Sequence, residues 1–228
     1  MGYPIKSSLT QVRPPLVVSQ LPEPPKTPPL PPNKTKPGGG LDPSDSSCPS
    51  TQNEPQALIP IENPVLTTSG NPTLLFYVPY GSEQVRLGEF SVLTRDEKKR
   101  LYKTKFTLPD TPGIVSISLP SSTENLLEQD QYYHWYFKLY CQGNTSSQPD
   151  LQLNGWIQRV ELTPERQRQI DAGTADIWYD SLANLANLIR ESPQDAQLRS
   201  KWSELLQFIE AEYLDEKPLS GAVIPLEE

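Results

Sequence analysis

The chain has 228 residues, 26 prolines and a formal net charge of −8. At about 100–200 residues per domain it holds one or two domains. Its 35% hydrophobic content is low enough that part of the chain is expected to carry no core. The acidic balance argues against a general nucleic-acid binder, and no stretch approaches the 18 apolar residues of a membrane-spanning helix.

Prolines and charge are segregated. Residues 1–64 hold 16 of the 26 prolines, and five basic side chains balance five acidic ones there. The run from Leu21 to Lys36 (LPEPPKTPPLPPNKTK) favours extended polyproline II, because Pro fixes φ and lacks a backbone donor. Gly38, Gly39 and Gly40 then supply a flexible hinge. Residues 1–55 are therefore expected to be a disordered Pro-rich spacer. An alternative use is docking, since Pro29, Pro32 and Lys34 fit a PxxPx+ pattern.

Residues 56–162 read as a β-sandwich of immunoglobulin-like type, from short β-rich runs separated by turn signals. Thr73–Pro79 is apolar on both faces, as a central strand is. Phe90 and Val92, then Tyr102, Thr104, Phe106 and Leu108, then Val115, Ile117 and Leu119 each recur at a period of two. Arg95–Arg100 (RDEKKR) is a charged hairpin tip. In Tyr132–Gln142 the odd positions Tyr133, Trp135, Phe137, Leu139 and Cys141 form a core face. Leu127, six residues before Tyr133, resembles the entry to a tyrosine corner, with Asp130 at a turn position usually held by Gly. The even positions Tyr132, His134, Tyr136 and Tyr140, with Lys138, form the candidate binding face. That stripe either stacks on a sugar or a partner, or lies under the C-terminal helices, and the covered arrangement is the favoured expectation. Leu151–Leu162 changes its apolar face midway, and Gly155 at the switch suggests a bulge.

Thr163-Pro164 opens a helical region at residues 163–215, expected to cap the sandwich as a helical hairpin. Trp178, Leu182, Leu185 and Ile189 form one stripe, and Leu198, Trp202, Leu205, Ile209 and Tyr213 a second. Pro193 ahead of Asp195 resembles the joint of tetratricopeptide repeats, which leaves docking to a repeat partner as an alternative. Residues 216–228 read as a tail. Residues 161–228 hold 6 basic and 14 acidic side chains, so the whole net charge sits there and points to a basic or cation-bridged partner.

Cys48 and Cys141 are expected to form a disulfide that staples the prefix to the sandwich, which favours an oxidising compartment. Two free thiols are the alternative. Leu16-Val17-Val18 is too short for the apolar core of a secretory leader. One His excludes two-His zinc motifs, and no phosphate-cradling glycine loop occurs. The sequence nominates no catalytic residue, no metal ligand set and no cofactor. Asn33-Lys-Thr and Asn144-Thr-Ser fit glycosylation acceptors.

Four blocks, PTLLFYVPY (72–80), TPGIVSISLP (111–120), YHWYFKLYC with NGWIQRVEL (133–141 and 154–162) and IWYDSLANL (177–185), together resemble an uncharacterised cyanobacterial family, domain of unknown function 928. The resemblance spans about residues 48–215. Family members usually carry an export signal and a Cys before the first strand, and Cys48 matches the latter. The resemblance implies an exported, periplasmic or extracellular envelope protein and brings no known activity or substrate. The leading expectation is thus a non-catalytic envelope module binding an envelope protein or glycan. Two alternatives stand beside it: a glycan-active enzyme using carboxylates near the aromatic stripe, and a cytosolic adaptor docking through its Pro-rich arm.

Overall fold

A computed structural model describes residues 30–37, 48–121, 127–142 and 148–226. Most of the spacer expected at 1–55 lies outside those residues. Ten strands follow in chain order: β1 (Gln56–Ala57), β2 (Leu66–Thr67), β3 (Thr73–Val78), β4 (Leu87–Thr94), β5 (Arg100–Thr107), β6 (Gly113–Ser118), β7 (Tyr132–Tyr140), β8 (Leu151–Arg159), β9 (Leu219–Ala222) and β10 (Ile224–Pro225). Three helices lie between β8 and β9: α1 (Pro164–Ala172), α2 (Trp178–Glu191) and α3 (Ala196–Phe208). The protein is mainly β with C-terminal helices.

The strands form two sheets, ordered β1-β3-β6-β9 and β10-β5-β4-β7-β8-β2. The period-two alternation seen in the sequence turns one face of each sheet inward. Phe76 of β3 stacks on Phe137 of β7 at 4.2 Å between centroids and meets Trp135 edge-on at 5.4 Å. These rings, with Phe90 and Phe106, are at most 1% exposed and make the centre of the core. Tyr133 closes the corner before β7: its hydroxyl accepts a hydrogen bond from the Glu128 N–H at 2.7 Å. Asp130 adopts φ 58° at the turn, the left-handed conformation that the absent Gly would have supplied.

The expected bulge at Gly155 is not present. β8 pairs with β7 in unbroken register from Gln158 to Leu151. The glycine has a different cause: a Cβ there would meet Trp135 Cζ2 at 2.5 Å and Ile59 Cδ1 at 2.8 Å. The cross-strand indole occupies the space of the missing side chain. The apparent change of face is also corrected, because Trp156 belongs with the outward-facing even positions, while Leu153 and Ile157 face the core.

The helices begin as their caps dictate. The Thr163 hydroxyl accepts from the Arg166 N–H, and the Asp195 carboxylate accepts from Gln197 N and Leu198 N. Gly173, at φ 67°, ends α1. The second stripe does not run to Tyr213: α3 stops at Phe208, Glu210 turns left-handed at φ 55°, and Tyr213 sits in a separate 3-10 turn, Glu212–Leu214. The helices pack on β2 and β3. The Trp178 indole donates to Leu58 O at 2.7 Å, and Tyr213 meets Tyr77 on the outer face of the four-stranded sheet. The Tyr179 hydroxyl reaches between the sheets, accepting from Trp135 Nε1 at 2.9 Å and donating to Trp156 O at 3.1 Å.

Two further segments join the body. Where the sequence suggests a tail, β9 adds to β6 in parallel and β10 adds to β5. Residues 30–37, at the end of the Pro-rich run, lie against β8: Lys34 and Asn154 exchange backbone hydrogen bonds at 2.9 and 3.2 Å.

Candidate functional site

Alternation along β7 sends Tyr132, His134, Tyr136, Lys138 and Tyr140 to the outer face of the six-stranded sheet. Register then decides their neighbours. Leu93, Ser91 and Glu89 of β4 stand opposite His134, Tyr136 and Lys138, while Trp156, Asn154 and Gln152 of β8 flank the other side. The helices do not cover this face, contrary to the favoured expectation. They are occupied by the opposite sheet, because their apolar stripes meet β3.

His134 is the centre of the face. Its ring lies parallel to the Trp156 indole, 4.1 Å away and tilted by 5°. Nδ1 stands 2.6 Å from Glu97 Oε1, and Nε2 stands 3.1 Å from Asn154 Oδ1. The Tyr136 hydroxyl donates to the same Glu97 oxygen at 3.1 Å. Glu97 reaches this position from the β4–β5 turn because its backbone is left-handed, φ 57°. Hydrogen bonding to His134, then to Tyr136, holds the Glu97 carboxyl below the usual carboxylate range. Burial, reinforced by the Glu97 carboxylate, pushes the Tyr136 phenol up to about 12.

The other stripe residues divide by burial. Tyr140 is 4% exposed, and burial raises its phenol before the nearby Glu89 and Asp150 carboxylates add to the effect. Glu89 is nearly buried on the same face and pairs with Lys103 at 2.7 Å and Lys138 at 3.8 Å. Tyr132 is half-buried beneath the Arg95 guanidinium, 5.2 Å from ring centroid to carbon. Beside it a cleft of about 450 Å³ is lined by Arg95, Asp96, Lys99, Leu101, Glu128 and Tyr132. The structure therefore brings the four nominated residues onto one face, but as two half-open tyrosines and two closed partners.

Glu97, Trp156, Asn154, Glu89 and Arg95 were not nominated from sequence. The signal that finds them is cross-strand register, which a single strand does not carry. The Trp156 indole N–H is buried without a hydrogen-bond partner among the described residues.

Cys48 and Cys141 bring their sulfurs to disulfide distance, with Cα atoms 5.2 Å apart across 93 residues. Asp150 is close enough to complete a three-ligand group with the two sulfurs. Asp150 Oδ2 also accepts from Cys141 N at 2.9 Å, which ties this carboxylate to the end of β7. Asn33 is not open to glycosylation in the folded chain: it is 5% exposed, its amide donates to Pro60 O, and its Oδ1 accepts from Trp156 N. Asn144 lies outside the described residues.

The curated proteins and the solved structures compared with the chain gave no match. A family model described as Domain of Unknown Function (DUF928) matches residues 36–219, and the chain belongs to that family.

Proposed function

We propose that the protein is a non-catalytic binding or adaptor module of the cell envelope, working in the periplasm or outside the cell. The carrying observation is the Cys48–Cys141 pair, which ties the segment before β1 to the end of β7. A closed pair of this kind persists in oxidising compartments and is reduced in an ordinary cytosol. Within that reading, residues 56–162 form an immunoglobulin-like sandwich, supported by the Tyr133 corner and the face-to-face sheets, and residues 163–215 cover one side of it. The half-open Tyr132 and Tyr136 with their cationic neighbours are the binding face.

Two features weigh against the alternatives. A glycosidase acid needs a raised carboxyl pKa. Asp96 is instead held below the usual range by the Thr94 hydroxyl and the Lys98 N–H, and Glu97 is lowered as well. Docking through Pro29–Lys34 needs that arm free, whereas the Lys34 backbone is paired with Asn154.

The test is thiol alkylation and non-reducing mass spectrometry of protein taken directly from fractionated cells. A Cys48–Cys141 linked peptide in the periplasmic or extracellular fraction is expected. Two alkylated thiols in freshly isolated protein, or recovery with the cytosol, would remove the proposal.

A further inference from the structure

The middle of the chain looks neutral, with nine basic and nine acidic side chains between residues 65 and 160. Folding separates them. Seven of the nine cations belong to the β4–β5 turn, β5 and β7: Arg95, Lys98, Lys99, Arg100, Lys103, Lys105 and Lys138. The same turn and strands hold two carboxylates, Asp96 and Glu97, and Glu89 of β4 and Glu128 stand beside them. Register places Lys105 and Lys138 on either side of Glu89, on the outer face of the six-stranded sheet. The turn curls onto that face, since Glu97 bonds His134 and Arg95 covers Tyr132.

We propose that this basic face binds a linear, acidic polysaccharide bearing carboxylate or sulfate groups. The inference deepens the envelope reading, on which it rests for the choice of a glycan. Three observations narrow the occupant. Arg100, opposite Leu93, and Lys105, opposite Glu89, are five residues apart along β5 on the outer face, about 15 Å at the rise of an extended strand, so the cations match an extended polymer rather than one small anion. The aromatic faces are already used: Tyr132 by Arg95, Tyr136 by Lys138 at 5.7 Å, and Trp156 by His134. No ring of this stripe is therefore free to stack an unpaired base, which single-stranded nucleic-acid sites require. The net charge of −8 repels a polyanion at long range, so attraction must be local to this face. Glu89 sits at the base of the patch and fixes Lys103 and Lys138 by ion pairing, which leaves the outer cations, Arg100 and Lys105 among them, to meet the ligand.

The experiment measures binding of the full chain to alginate (a polyuronate), dextran sulfate and neutral dextran at low salt. A single-stranded oligonucleotide and phosphatidylglycerol vesicles run alongside. Binding to alginate or dextran sulfate, none to neutral dextran, and weakening with added salt is the expected result, and whichever of the two binds identifies the acidic group. Arg100→Glu with Lys105→Glu should weaken binding about tenfold or more, a loss of ~1.4 kcal/mol. Arg190→Glu with Lys217→Glu changes the net charge equally at the helical end and should leave binding unchanged. A matched Arg100→Gln with Lys105→Gln variant, checked by its unfolding midpoint, guards against misfolding. No binding to either acidic polysaccharide overturns the inference. Equal loss in both charge reversals overturns it, as does tighter binding to the oligonucleotide or vesicles. The cysteine alkylation result is independent of all these outcomes, so the compartment reading and this one fail separately.

Discussion

The two faces of β7 are made from alternate residues of one nine-residue strand, yet they obey different physics. The inward face, Tyr133, Trp135, Phe137 and Leu139, is at most 4% exposed and meets rings from the opposite sheet. Its contribution is area removed from water and close packing. The outward face, Tyr132, His134, Tyr136, Lys138 and Tyr140, is held by hydrogen bonds, ion pairs and ring stacking with its own sheet neighbours. Such interactions are worth far less in partial contact with water. The difference teaches where stability and recognition live: the inner face fixes the register that the outer face then uses.

Measurements of stability and of titration can break or sharpen that contrast. The largest effect belongs to the staple at the inner row's end. Reduction, or Cys48→Ser, should lower unfolding free energy by about 4–5 kcal/mol for a loop of this length in the chain-entropy model, and urea melts with and without reductant would reveal it. Phe137→Ala should follow closely at about 3–5 kcal/mol, from lost burial and a cavity under Phe76. Lys138→Ala, one residue away on the outer face, should stay under about 1 kcal/mol. Similar losses for the two would erase the distinction between the faces.

Gly155→Ala should fall between those two, at about 1–3 kcal/mol, because its Cβ must displace the Trp135 indole. A neutral result in thermal melts would mean that the indole can move aside.

The smallest effect is electrostatic and tests the outer face alone. Glu97 has a folded pKa below its unfolded value. Its stabilisation is therefore present above the unfolded pKa, about 4.3, and lost as pH falls through the folded one. The side chain is 46% exposed, so screening keeps this under about 1 kcal/mol. Glu97→Gln should flatten the acid limb of stability against pH. At the alkaline end the sign reverses for Tyr136, whose raised pKa gives stability present at neutral pH and lost as pH climbs through about 12. A Tyr136 phenolate appearing near pH 10 in the ultraviolet titration would contradict the burial of its hydroxyl and its bond to Glu97.

Much of the architecture was legible. The strand at Thr73–Val78, the alternating runs of β4 to β7 and the helix start at Thr163-Pro164 follow from period, turn chemistry and capping. Asp130 was marked as a turn residue in place of Gly, and its left-handed backbone bears that out. Gly155 was misread, because a glycine that makes room for an indole across the sheet looks, in its own strand, like one that breaks the register. The end of the chain was misread for a similar reason. Leu219–Ala222 and Ile224–Pro225 become strands only because β6 and β5 offer open edges to pair with.

The candidate face was half legible. The even stripe of β7 was visible, since alternation is local. Its partners were not, because Glu97, Asn154 and Trp156 are 20 to 37 residues from His134 along the chain. The identity of the covered sheet was likewise invisible: an amphipathic helix shows that it buries a stripe, not which surface receives it.

The sequence by itself determined that a Pro-rich prefix, a β-rich middle and an acidic helical end succeed one another, because composition, period and caps act over a few residues. It also determined where the net charge of −8 accumulates. Only the tertiary structure decided that the neutral middle is neutral on average alone. Strand pairing gathers distant lysines and arginines onto one sheet face, and long-range register, unlike charge count, is set by the packing of the whole body.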